Sequence, residues 1–207
     1  MSQHSNYADL THHYQQTRQH FEHICAPLTV EDYNLQAMPE TSPAKWHLAH
    51  TSWFFETFIL KPYFSGYKVW NKHFEFLFNS YYNAVGPQFS RPRRGLLSRP
   101  SVDEIYVYRQ YIDKHMLLLL QQIDHPDRLK INDRTLLGIN HEQQHQELFF
   151  TDLKYCFFQN PMYPAYQSNH QPTVSSRVKQ LTWSHFEATE TTIGITDTNS
   201  SETFSFR

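Results

Sequence analysis

A chain of 207 residues has room for one main domain and part of a second, and its 16% aromatic content beside only 18% charged residues means that burial leans on Phe, Tyr and Trp. A formal net charge of −2 and a pI near 6.7 give no general attraction for nucleic acid or anionic lipid, so neither is an expected partner. Two cysteines, Cys25 and Cys156, form no CxxC pair, the N-terminus carries no basic then apolar leader, and no run of about 18 apolar residues occurs; together these predict a soluble, cytoplasmic protein.

The first predicted helix runs from about Tyr7 to Ile24, with Leu10, Tyr14, Thr17, Phe21 and Ile24 at spacings of three or four and Pro27 beyond its end. His4, His12, His13, His20 and His23 fall in this polar N-terminal segment and are expected at the surface. A second helix is predicted after Thr41-Ser42-Pro43, with Ser42 as cap and Pro43 in the first helical position, continuing through Trp46, Ala49, Trp53 and Phe54 to about Leu60 before Pro62. Between Tyr63 and Pro100 the periodicity is lost among Gly and Pro breakers, which reads as a long structured connection.

Ser101-Val102-Asp103-Glu104 opens a third helix with a capping-box pattern, and Ile105, Tyr108, Ile112, Met116 and Leu119 form its apolar face as far as His125-Pro126. Asn132 or Asp133 is the predicted cap of a fourth, which runs to about Phe158 and stops at Asn160-Pro161. Four long amphipathic helices over residues 5–165 predict an all-α, four-helix bundle. Residues 166–207 change to Thr and Ser, with Leu181-Thr182-Trp183 and Thr191-Thr192-Ile193-Gly194-Ile195 as short predicted strands: a linker and an irregular or β tail too short to own a core.

The chemistry concentrates in His141-Glu142-Gln143-Gln144-His145, where two histidines four apart on one helix face can ligate a single metal ion. The run also satisfies the H-E-x-x-H protease pattern, but the extended H-E-x-x-H-x-x-G-x-x-H form fails because Leu148 and Thr151 stand where Gly and His are required. The second helix offers His47 and His50, one or both facing inward. Two helices contributing histidines predict a three-histidine site, which suits Fe(II) or Zn.

The strings Ser42-Pro43-Ala44-Lys45-Trp46-His47-Leu48-Ala49-His50, Asn79-Ser80-Tyr81-Tyr82-Asn83-Ala84-Val85-Gly86, Arg94-Gly95-Leu96-Leu97-Ser98-Arg99-Pro100 and His141-Glu142-Gln143-Gln144-His145-Gln146-Glu147-Leu148 together resemble the N-terminal DinB-like domain of ergothioneine-pathway sulfoxide synthases (hercynine oxygenases, EgtB type). The resemblance spans about residues 5 to 165. It implies His50, His141 and His145 as ligands of non-haem Fe(II), with His47 behind them. The implied reaction joins cysteine or γ-glutamylcysteine to C2 of the trimethylhistidine imidazole with O2, the sulfur ending as a sulfoxide. Gln144 would meet the substrate imidazole, and Arg91 and Arg94 the carboxylate of the thiol substrate. Glu142 becomes a solvated or histidine-orienting carboxylate rather than a protease base, and Tyr81 and Tyr82 core or loop anchors.

Members of that family carry a further domain resembling formylglycine-generating enzyme, which supplies a catalytic tyrosine. Residues 166–207 are expected to hold only a linker and the start of such a domain, leaving this stretch alone weak or inactive in the full reaction. Two other readings stay open at this level: a stand-alone DinB-like thiol transferase using zinc or another divalent metal, and a catalytically inactive metal-binding remnant. The oligomeric state is not legible.

Overall fold

The apolar spacing of the first segment folds as α1 (Gln3–Cys25), which buries Tyr14, Phe21, Ile24 and Cys25 and leaves His12, His13, His20 and His23 exposed. This computed structural model describes residues 3–80, 82, 84–167 and 180–193. The remaining helices are α2 (Ala44–Phe55), α3 (Lys61–Tyr63), α4 (Phe74–Phe78), α5 (Val102–Leu120) and α6 (Arg128–Gln159). Short 3-10 turns occupy Asp32–Asn34 and Arg91–Leu96. Helices α1, α2, α5 and α6 form the predicted four-helix bundle, with α2 packed on both α5 and α6 and α1 on α6. No described helix is long and apolar enough to cross a membrane.

Helix α2 departs from the amphipathic expectation, because all twelve of its residues are buried. A helix surrounded on all sides has to satisfy its polar groups internally, and Lys45, His47, His50, Thr51 and Ser52 each have a partner inside the bundle. Its start is also different. Pro43 holds the N-cap position, and Ser42 makes no cap: its amide donates to Asp152 (2.8 Å) and its hydroxyl accepts from Arg94 (2.8 Å).

The helix does not stop at Leu60. Its last turns widen into a π-helical segment over Glu56–Leu60 and continue as α3, where Pro62 sits in the opening turn and needs no amide partner. Glu56, buried at the start of this widening, accepts hydrogen bonds from the hydroxyls of Tyr67 (2.7 Å) and Tyr108 (2.6 Å) and from the Trp70 amide (3.0 Å). That carboxylate pins the aromatic connection to α5.

Helix α5 has the predicted reciprocal capping box between Ser101 and Glu104. Helix α6 begins at Arg128, so Asn132 and Asp133 lie inside it rather than capping it. Its approach to α2 is close at Gly138, where a Cβ would stand 2.4 Å from the Phe55 ring. Only glycine permits that separation.

The chain divides into two units, residues 1–167 and 168–207. Within the second, residues 180–193 hold no strand, and Leu181 and Trp183 are exposed. The first predicted strand is therefore not formed: a strand needs a paired neighbour, and none is present among the described residues. The second is not formed over Thr191–Ile193, and Gly194 and Ile195 lie outside the described residues.

Candidate metal centre

His141 and His145, one turn apart on α6, meet His50 of α2, and one ring nitrogen from each lies within 4.8 Å of the others. His50 Nε2 stands 3.2 Å from His141 Nε2. Metal–imidazole bonds of about 2.0–2.1 Å at angles of about 90–110° place two ligand nitrogens roughly 2.8–3.4 Å apart, so this spacing fits one shared ion. All three pKa values are displaced downward, chiefly by burial: His141 to about 4, His50 and His145 well below the ordinary value, helped by the neighbouring rings. Neutral imidazoles at neutral pH are the form that donates a lone pair to a metal.

The rings are held differently. His50 is stacked between Trp46 (4.5 Å between centroids, 13°) and Trp53 (5.5 Å, 19°), and its Nδ1–H donates to the Phe78 carbonyl at 2.6 Å, leaving Nε2 free to ligate. His145 meets His47, Nδ1 to Nδ1, at 2.9 Å, and His47 Nε2 in turn meets Asp152 Oδ2 at 3.1 Å. The latter contact has the span of an ion pair, yet burial outweighs the carboxylate and lowers the pKa of His47, so it is a hydrogen bond from a neutral ring. His141 Nδ1 is buried without a partner among the described residues, and its ring is held by packing against Phe54 (4.7 Å).

The histidines open onto a cavity of about 360 Å³ whose other walls include Ser80, Tyr82, Arg91, Arg94, Gln144 and Leu148. A neighbouring cavity of about 310 Å³ shares Ser80, Arg91 and Arg94 and adds Gln88, Phe89 and Ser90. Arg94 is buried with its guanidinium 3.4 Å above the Trp46 ring, donating to the hydroxyls of Ser42 (2.8 Å) and Ser80 (3.0 Å). The turn carrying both arginines is fastened by Gln36, which donates to the Arg91 carbonyl (2.8 Å) and accepts from the Gly95 amide (2.6 Å). The structure thus brings His50, His141, His145, Arg91, Arg94 and Gln144 to one cavity.

A family model described as the DinB superfamily matches residues 13–149. The chain belongs to the DinB superfamily. The match covers the bundle up to the turn after His145 and includes all three clustered histidines, in keeping with a divalent-metal-binding helical domain. No curated protein matches the chain.

In this DinB bundle Glu142 plays neither of the parts the sequence suggested. It is fully buried away from solvent, accepting from Arg18 (2.8 Å) and Arg109 (3.0 Å), and it orients no histidine. The H-E-x-x-H pattern arises here because the residue after His141 is turned about 100° around α6, away from the histidine cluster, where it bridges α1 and α5. Asp152, seven residues beyond His145, is legible in the sequence as lying on the same helix face, but no role for it could be read there. Sequence reasoning missed Ser42 and Ser80 as anchors of Arg94, for which no sequence signal exists. Tyr82, expected as a core or loop anchor, lies half-buried in the cavity wall.

Proposed function

We propose that this DinB domain is the metal-binding part of an Fe(II)-dependent, O2-using sulfoxide synthase that joins a cysteine-type thiol to the imidazole C2 of trimethylhistidine in ergothioneine biosynthesis. The supporting observation is the meeting of three neutral histidines with Arg91, Arg94 and Gln144 around one cavity. His50, His141 and His145 hold the ion. Bound Fe(II) would supply the oxygen-activating centre, a chemistry that neutral nitrogen ligands with open positions suit. The net conversion consumes one thiol, one imidazole C–H and one O2 and yields a sulfoxide and water, four electrons passing to O2.

The protein's own groups account for binding. Arg91 and Arg94, on the wall shared by the two cavities, hold the carboxylate of the thiol substrate, and fixing that end brings its sulfur to the histidine cluster. The Gln144 amide offers a neutral hydrogen bond to the substrate imidazole, which leaves that ring unprotonated. Trp46 and Tyr82 supply apolar walls that exclude water.

The test is O2 uptake by the full chain with Fe(II), trimethylhistidine and either cysteine or γ-glutamylcysteine. Uptake that requires both organic substrates, with a sulfoxide product seen by mass spectrometry, supports the reading; an iron-loaded protein whose Fe(II) spectrum is perturbed by neither the thiol nor trimethylhistidine rejects it. A second reading, a DinB-like thiol transferase using zinc or another divalent ion, draws on the family match, which needs only the bundle. Thiol transfer without O2 would select it.

A further inference from the structure

We infer that Asp152 and His47 form a hydrogen-bond relay that fixes His145 as its Nδ1–H tautomer and thereby sets the affinity of the three-histidine cluster for a divalent ion. The inference rests on the reading of His50, His141 and His145 as metal ligands.

The direction of the relay follows from what each group can do. Asp152 Oδ2 accepts from the Ser42 amide (2.8 Å), a group that can only donate, and the same oxygen faces His47 Nε2 (3.1 Å) as its acceptor. His47 therefore carries its proton on Nε2. His145 can ligate only through the nitrogen that His47 does not engage, so its Nδ1 carries the proton and donates across the 2.9 Å contact to His47 Nδ1. The remaining nitrogen of His145, Nε2, is left with its lone pair for the ion.

The relay is built into rigid elements. His47 and His50 lie three residues apart on α2, and His145 and Asp152 seven apart on α6, so one pair of facing helix stripes supplies both ligands and relay. His47 is 2% exposed and Asp152 9%, which leaves little water to replace either bond. The other ligands do without such support: His50 uses a backbone carbonyl, and His141 is held by packing. His145 is thus the ligand whose tautomer depends on side chains. A partner behind a metal-bound imidazole fixes its tautomer and raises its basicity, and losing it typically weakens metal binding by about 10–100-fold.

The full chain offers two measurements. In the metal-free wild type, ring-nitrogen NMR should report His145 protonated at Nδ1. Zinc affinity, from competition with a chromophoric chelator, should fall about 10–100-fold in His47→Leu and Asp152→Leu, and stay within about threefold in His47→Gln, whose amide can also accept from His145 and donate to Asp152. Circular dichroism checks that each variant is folded, and the tautomer measurement needs no variant. The relay is overturned if His145 carries its proton on Nε2 in the metal-free protein, or if folded His47→Leu binds zinc as wild type does. A wild type with the Nδ1–H tautomer that binds no zinc would instead reject the metal-ligand reading and, with it, the effect on affinity.

Discussion

His141 is the clustered histidine with the least hydrogen-bonding support and a pKa brought to about 4 by burial, against an ordinary 6.5. The unfolded chain therefore takes up the proton first as pH falls. Stability due to the neutral ring is complete above about pH 6.5, is lost as pH drops from there toward 4, and changes no further below that. A shift of this size corresponds to about 3 kcal/mol for one residue, with His50 and His145 displaced in the same direction. Urea midpoints of the metal-free protein should fall across this window, and His141→Leu should fall less steeply. Equal slopes for the two proteins would mean that the buried ring is not the titrating group. The same burial that makes these rings costly to protonate keeps their lone pairs available to an ion.

At the scale of elements, the rotation of α6 about its axis decides whether its histidines reach the cavity. Two features hold it. Gly138 lets α6 approach the Phe55 ring of α2, and Glu142, one turn further along the same side, fixes it to α1 and α5 through Arg18 and Arg109. Arg18 also meets Asp113 at 2.7 Å and Ser52 at 2.8 Å, so α1, α2, α5 and α6 converge on one buried network. Removing one member of a buried ion pair typically costs about 3–5 kcal/mol, because the charges left behind stay desolvated. Glu142→Gln should lower folding stability by that order while the folded variant keeps wild-type zinc affinity. A variant of unchanged stability that lost metal-dependent activity would return Glu142 to a chemical role.

For the whole molecule, an ion held by both α2 and α6 bridges the two central helices and binds only the folded state. Excess zinc at about 100 times its dissociation constant should stabilise the chain by about 2.7 kcal/mol, a rise of roughly 5–10 °C in melting temperature that a chelator reverses. Thermal scans should show the rise in wild type and not in His50→Ala or His145→Ala. An equal rise in all three would place the ion elsewhere.

Helix α5 with its capping box, the inward face of α1 and the one-turn pairing of His141 with His145 were legible because each rests on local spacing along one helix. The number of long helices, and so the bundle, follows from the same periodicity. Choosing between His47 and His50 was not legible from spacing, since both face inward from α2; which one meets the α6 pair depends on how the two helices are rotated against each other. Nor could local pattern tell that Ser42 would give up its capping role to Asp152 and Arg94, or that Glu142 would be buried between two arginines. Sequence periodicity alone determined which residues share a helix face. Only the tertiary structure decided what each face meets, because partners lying up to 142 residues apart are brought together by packing, which no local spacing records.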